Sequence, residues 1–277
     1  MRIADILSKA KVDKKSLEAE VLLAFSLKKS KEWVIAHDDF ELSIRDVKGF
    51  HELWTRFLQS EPVAYLVNKK EFFAMDFYVD GRVLIPRPET ESLVSEVLDL
   101  SQGPRFASKK VVRVVDVGTG CAAISISLAK NSKNLEIYAT EVSEVACEVA
   151  RKNIEDLGAK VDLRCGDLLE PVKDVDFDII VANLPYIGTE KYNFVETNVT
   201  KYEPNVALYG GNDGLELYRK LFVRILDYGM KPSYILGEFG FLHAEILKED
   251  IKKYFPKAVY TVKQDLSGLD RNFIISL

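Results

Sequence analysis

The sequence predicts an α/β protein: a doubly wound, mainly parallel sheet over residues 85–277, preceded by a small helical bundle over residues 1–62 and joined to it by a β-hairpin connector over residues 63–84. Three observations predict this. Residues 1 to about 60 carry apolar side chains at helical spacing and almost no glycine or proline. From Thr90 onward, strand-length apolar runs alternate with amphipathic helical segments, the pattern of βαβ units. The run Val111–Val115, four valines in five residues, reads as a strand buried on both faces, as in a parallel sheet.

In the first part, Asp13 is placed to cap a helix whose apolar face carries Leu17, Val21, Leu22 and Phe25. Ser30 starts a short helical turn with Trp33, Val34 and Ile35. Ser43 with Asp46 reads as a capping box, using the shorter acid, before Val47, Phe50, Leu53, Trp54, Phe57 and Leu58. This makes a bundle of about four helices, with a thin core of its own. The composition changes at Glu61-Pro62, and Phe72–Val79 reads as a β-hairpin closed by Asp80-Gly81. Beyond it come a helix carrying Leu93, Val94, Val97, Leu98 and Leu100, the Val111–Val115 strand, a helix over Ala122–Ala129 and a strand over Leu135–Thr140. A helix over Ser143–Leu157 and strands near Val161–Arg164 and Phe177–Ala182 follow. The chain then reads helix (Leu215–Leu226), strand (Tyr234–Gly237), helix (Leu242–Tyr254) and two strands (Ala258–Lys263 and Asn272–Ser276).

With 277 residues, the chain has room for one large domain or two modest ones. Apolar residues at 47% and charged residues at 29% exclude a disordered or fibrous chain. A net charge of −5 argues against a general polyanion binder. No run of 18 apolar residues predicts a membrane span, and Met1–Asp5 lacks an apolar signal core, so a cytoplasmic location is expected. The three cysteines, without paired spacing, argue against a disulfide framework, and three scattered histidines argue against a metal site.

The sharpest local signal is Val114-Val115-Asp116-Val117-Gly118-Thr119-Gly120-Cys121-Ala122-Ala123, a strand entering a glycine turn and then a helix. Gly118 and Gly120 allow a tight turn and a close approach to a ligand. Glu141, about twenty residues on, ends the next strand, where a carboxylate can accept both ribose hydroxyls. The glycine pattern alone also suits a dinucleotide. Asp116 favours S-adenosylmethionine, because an acid before the turn suits a sulfonium ligand and would repel a pyrophosphate. Asp167 and Leu168, after the third strand, are candidates for the adenine amino group and ring.

The fourth strand ends in Asn183-Leu184-Pro185-Tyr186. These residues suit chemistry on a planar NH2 group. The Asn183 side-chain oxygen can accept one N–H and the Leu184 carbonyl the other, while Pro185 fixes the turn and withholds a donor. Tyr186 offers an aromatic face. Holding a poorly nucleophilic nitrogen in line with a methyl carbon supplies orientation and electrostatic stabilisation.

The tetrapeptide resembles the Asn-Pro-Pro-Tyr motif of S-adenosylmethionine enzymes that methylate amide or exocyclic amino nitrogens. In its leucine form it is also similar to that of adenine-N6 RNA methyltransferases. Other segments are more specific: Glu61–Leu66, Glu71-Phe72-Phe73, Val83-Leu84-Ile85-Pro86-Arg87-Pro88-Glu89-Thr90-Glu91, Tyr202-Glu203-Pro204, Ala207-Leu208, Gly210–Leu215 and Asp265–Arg271. Together they resemble, over nearly the whole chain, the PrmC/HemK family of release-factor-specific glutamine-N5 methyltransferases, and they imply a Rossmann-like S-adenosylmethionine methyltransferase sheet. Departures are Leu184, Glu141 where many members have aspartate, and Gly237–Gly240 with His243 where the family often has glutamine.

The resemblance implies a concrete set of roles. The substrate would be the glutamine of the Gly-Gly-Gln motif in class 1 peptide chain release factors, and S-adenosylmethionine would leave as S-adenosylhomocysteine. Gly118, Thr119, Gly120, Cys121, Ala122, Glu141 and Asn183 would hold the cofactor, with Asp167 and Leu168 at the adenine; Asp116, read from its place just before the turn, is expected to bind the cofactor too. Asn183–Tyr186 would grip the glutamine amide, and Pro86, Arg87, Pro88 and Glu89 would line the cleft beside it. An interdomain salt bridge is an equal alternative for Arg87. The N-terminal domain would dock the release factor, and a monomer with no membrane or direct nucleic-acid partner is expected. The alternatives are an adenine-N6 nucleic-acid methyltransferase, a glutamine methyltransferase of a ribosomal protein, a nicotinamide-dependent oxidoreductase and a non-catalytic adaptor.

Overall fold

In the computed structural model, residues 1–12, 14–192 and 197–277 are described. They form two compact units, Met1–Lys69 and Lys70–Leu277. In the first, α1 (Ile3–Val12), α2 (Ser16–Leu27), α3 (Lys31–Ala36) and α4 (Ile44–Leu58) are followed by one short turn of helix, α5 (Val63–Leu66). The Ser30 side chain accepts from Trp33 N–H at 3.1 Å, capping α3. Ser43 and Asp46 form the expected reciprocal capping box on α4. Asp13 lies outside the described residues.

The buried stripe of α2 differs from expectation. Ala19, Leu22, Leu23 and Ala24 are buried, while Leu17 and Phe25 are exposed. Two adjacent stripes of this helix both have helical period, and the pattern alone does not choose between them. The boundary between the units also falls later than residues 62–63. Leu66 of α5 is part of the first unit's core, with Ile3, Leu22, Leu23, Val34 and Phe50. Pro62 starts this last turn rather than ending the bundle.

The second unit opens with the predicted hairpin, but Asp80-Gly81 does not close it. β1 (Lys70–Phe72) and β2 (Met75–Phe77) pair with Phe72 opposite Met75, so Phe73-Ala74 is the turn. Both turn residues are left-handed, at φ +48° and +56°, as a two-residue hairpin of this twist demands. The Phe73 N–H bonds Glu91 Oε1 at 2.9 Å, and Phe72 and Phe77 are buried, which offsets the cost of the turn. Asp80 instead binds Tyr78 Oη and the Arg82 guanidinium.

The rest alternates: α6 (Glu91–Ser101), β3 (Val112–Val117), α7 (Ala123–Asn131), β4 (Leu135–Glu141), α8 (Glu144–Asp156), β5 (Val161–Cys165), β6 (Ile179–Ala182), α9 (Thr197–Tyr202), α10 (Glu216–Asp227), β7 (Tyr234–Glu238), α11 (Ala244–Tyr254), β8 (Val259–Gln264) and β9 (Asp270–Ser276). Among the described residues the sheet has seven strands in the order β5-β4-β3-β6-β7-β9-β8. β9 alone runs opposite to the other six strands. The strand order reverses at β3/β6, and in such sheets a ligand crevice opens at that point, beyond the strands' carboxyl ends.

Register then decides which side chains meet. Val117 pairs with Thr140 on one side and Ala182 on the other, and Ala182 pairs with Gly237. The next residue on each strand is therefore Gly118, Glu141, Asn183 and Glu238, one rung beyond the last apolar row.

The cysteines overturn one expectation. Cys147 of α8 and Cys165 at the end of β5 are joined as a disulfide, with Cα atoms 6.4 Å apart. The pairing runs from helix to strand, so no short sequence spacing announces it. Cys121 is a buried free thiol.

Candidate active site

Two cavities meet beyond the sheet's carboxyl edge. One, of about 260 Å³, lies over the glycine turn after β3; the other, of about 310 Å³, lies on the far side of Asn183–Pro185, and both are lined by Leu84, Arg87, Asn183, Leu184 and Pro185.

The first cavity has the shape and charge of a nucleoside site. Gly118 and Gly120 are left-handed, at φ +74° and +58°. A Cβ on Gly118 would come within 3.0 Å of Leu184 Cδ2, and one on Gly120 would project into open space. Glu141 Oε2 accepts the Gly120 N–H at 2.9 Å and Oε1 the Ser143 N–H at 2.9 Å. This fixes the carboxylate and leaves further lone pairs for hydroxyl donors. It also commits to an acid the N–H that would otherwise face a phosphate. Asn153 braces the bend, its Nδ2 donating to Tyr78 O and Cys121 O, each at 2.9 Å.

Most expected cofactor residues line this cavity: Gly118, Thr119, Gly120, Cys121, Glu141 and, across it, Asp167, Leu168 and Asn183. Asp116 and Ala122 are not among its lining residues. Ala122 is fully buried at the start of α7. Asp116 lies beneath the turn, where Oδ2 accepts from Thr119 Oγ1 at 2.5 Å and Ser125 N–H at 3.1 Å. Its Oδ1 has no hydrogen-bond partner among the described residues. Burial pushes the Asp116 carboxyl up to about 6, and burial likewise pushes the Cys121 thiol up to about 12.

Pro86 and Arg87 line the first cavity; Pro88 and Glu89 line neither, lying instead in the turn that leads into α6. Arg87 Nη2 binds Glu203 Oε1 at 2.6 Å, so its ion pair is within this unit rather than between units. Glu203 Oε2 also accepts the Ile85 N–H at 3.1 Å.

Asn183, Leu184, Pro185 and Tyr186 line the second cavity together with Glu238. Asn183 Nδ2 lies 3.1 Å from Thr90 Oγ1, which lies 2.6 Å from Glu238 Oε2. Tyr186 Oη donates to Glu238 Oε1 at 3.0 Å. Burial raises the Glu238 carboxyl, against the bonds from Thr90 and Tyr186 and the nearby Arg271 charge. Behind the strand ends, the fully buried Tyr218 Oη sits 2.5 Å from Glu238 O, 3.1 Å from Ala182 O and 3.5 Å from Leu184 N. Thr90, Glu238, Tyr218 and Asn153 were not among the expected site residues. Glu238 had a legible signal, an acid ending an apolar strand just as Glu141 does.

A family model described as the PrmC N-terminal domain matches residues 1–67, and one described as the methyltransferase small domain matches residues 98–202. The release factor glutamine methyltransferase of Bacillus cereus is 34% identical over 254 residues, spanning 91% of this chain and 89% of the relative. The chain belongs to the release factor glutamine methyltransferase family. Relatives of the same name from Koribacter versatilis (33% identical; 92% of this chain, 89% of theirs) and Geobacter sulfurreducens (34%; 94% and 89%) cover it as fully. The crystal structure of the human METTL16 catalytic domain in complex with a MAT2A 3′UTR hairpin has 17% identity and a TM-score of 0.58, covering 74% of this chain and 76% of that one. It shares the fold. As a member of the release factor glutamine methyltransferase family, the chain is an S-adenosylmethionine-dependent methyltransferase, and the acid-lined glycine bend fits that cofactor's ribose and cationic tail. Among the described residues no helix is long and apolar enough to cross a membrane, and no cluster of metal-binding side chains occurs.

Proposed function

We propose that this chain methylates the side-chain amide nitrogen, N5, of the glutamine in the Gly-Gly-Gln motif of class 1 peptide chain release factors, acting as a cytoplasmic monomer with no nucleic-acid partner. The observation that carries the reading is the position of Asn183: its amide stands at the junction of the two cavities, and its Oδ1 has no hydrogen-bond partner among the described residues.

Bound S-adenosylmethionine supplies an electrophilic methyl group on a sulfonium. Glu141 takes the ribose hydroxyls, the turn Gly118–Gly120 admits the chain's backbone close to the ligand, and Leu168 packs on the adenine with Asp167 beside its amino group. Asn183 Oδ1 accepts one N–H of the glutamine and the Leu184 carbonyl the other. Pro185 brings no competing N–H, and the Tyr186 ring covers the flat amide. Two acceptors on the NH2 group hold its nitrogen in line and stabilise the positive charge that grows on it during transfer. As the N–CH3 bond forms, the S–CH3 bond breaks and S-adenosylhomocysteine would be left as the neutral thioether; the cationic nitrogen then gives its proton to water, so no strong base is needed. Arg87 and Pro86 border the entry, and the N-terminal unit docks the release factor and adds contact area to a small pocket.

Incubation of the protein with a class 1 release factor and isotopically labelled S-adenosylmethionine, followed by mass spectrometry of the Gly-Gly-Gln peptide, tests this. One added methyl on the glutamine is expected. Label on RNA, or on another protein with none on that glutamine, would refute it.

A further inference from the structure

The Asn183 side chain has an accepting end and a donating end of nearly equal shape. Only the accepting end serves a substrate NH2, so what holds the other end matters to catalysis. Asn183 Nδ2 rests on Thr90 Oγ1 at 3.1 Å, and the Thr90 hydroxyl rests on Glu238 Oε2 at 2.6 Å. Two hydroxyls, Thr90 Oγ1 and Tyr186 Oη, and the nearby Arg271 charge favour the ionised form of Glu238 against its burial, and in that form the carboxylate offers no proton. The single Thr90 proton then points to Glu238, which leaves only lone pairs facing Asn183. Those lone pairs take an N–H and would repel an oxygen. Flipping the amide would set two oxygens against each other at 3.1 Å and turn N–H groups toward the substrate's own N–H groups.

We propose that Thr90 and Glu238 are positioning residues that fix the polarity of the Asn183 amide, with Oδ1 toward the substrate. Thr90 is 5% exposed and Glu238 1% exposed, so water does not compete for these bonds. The second Glu238 oxygen holds Tyr186 Oη at 3.0 Å, so the same carboxylate orients the acceptor and the ring that covers the amide. The three residues come from separate elements: the turn before α6, the end of β6 and the end of β7. This inference rests on the amide-methylating reading of the site.

The test compares wild type, Thr90→Val, which keeps the shape and removes the hydroxyl, and Thr90→Ser, which restores it. Steady-state methylation of the release factor gives kcat and KM, and calorimetry gives the S-adenosylhomocysteine Kd. Thr90→Val should lower kcat by about 10–100-fold while KM and Kd stay within about threefold, and Thr90→Ser should recover most of the rate. A polarity role predicts that split and rescue; a packing role would move Kd and thermal stability, and the serine variant would not recover the rate. Wild-type kcat in Thr90→Val, or a serine variant as slow as the valine one, would overturn the proposal. A wild-type protein that leaves the release-factor glutamine unmethylated would instead fell the underlying reading, and this assignment with it.

Discussion

Asn183 and Glu238 occupy the same rung on neighbouring strands, because Ala182 pairs with Gly237 and each of the two is the next residue along its chain. Glu141 stands on that rung too, one strand beyond β3. The sheet's register thus delivers an amide and two carboxylates to one line, facing both cavities, from positions far apart in sequence.

Asn183→Ala removes the acceptor proposed for the reacting nitrogen and leaves the glycine bend intact. The kcat should fall by about 10²–10³-fold, the cost of losing one preorganised electrostatic contact, with S-adenosylhomocysteine affinity kept. Single-turnover methylation and calorimetry check both parts; turnover within twofold of wild type would remove Asn183 from the reaction.

Glu141→Ala deletes the proposed ribose acceptor and releases the N–H groups of Gly120 and Ser143. The Kd for S-adenosylhomocysteine should rise at least about tenfold, or roughly 1.4 kcal/mol. An unchanged Kd means that the ribose lies elsewhere.

Asp116 should make stability fall as pH rises. Its folded pKa, about 6, lies above its ordinary 3.8, so the folded state holds the proton more tightly. Its contribution is greatest below the unfolded pKa and is lost as pH climbs through about 6. Between pH 8 and pH 5 it adds roughly 1.4 kcal/mol in favour of the acid side. Urea melts of wild type and Asp116→Asn at the two pH values isolate it; a stability difference between them that is the same at both would show that Asp116 does not titrate as described.

Tyr218→Phe strips the hydroxyl shared by Glu238 O, Ala182 O and Leu184 N in a fully buried position. Leaving those groups short of a partner should cost about 1–3 kcal/mol of stability. Denaturant unfolding reads this directly, and a loss below about 0.5 kcal/mol would mean that the backbone finds other partners.

What could be read from sequence was local. The Gly118–Gly120 bend, Glu141 and Asn183–Tyr186 each sit in a short run whose residue types state their use. The Ser43–Asp46 cap is of the same kind. What escaped was long-range or atypical. Thr90 and Glu238 meet across 148 residues, and nothing near either announces the other. The hairpin turn uses Phe73 and Ala74, residues that do not mark turns, because Glu91 and a buried Phe pair hold it. Leu66 belongs to the first core although a proline precedes its helix. Cys147 and Cys165 join by helix-to-strand packing, which spacing does not encode.

The place of β9 has a consequence for biosynthesis. It lies between β7 and β8, so a ribosome must deliver residues 270–276 before β7 gains its outer neighbour or β8 can attach. The strands around the glycine bend, β3 to β6, need nothing from that segment and can assemble on the nascent chain. In the interval, β7 presents an open edge to other unfinished polypeptides, and the rung bearing Glu238 is the last part of that line of side chains to be locked.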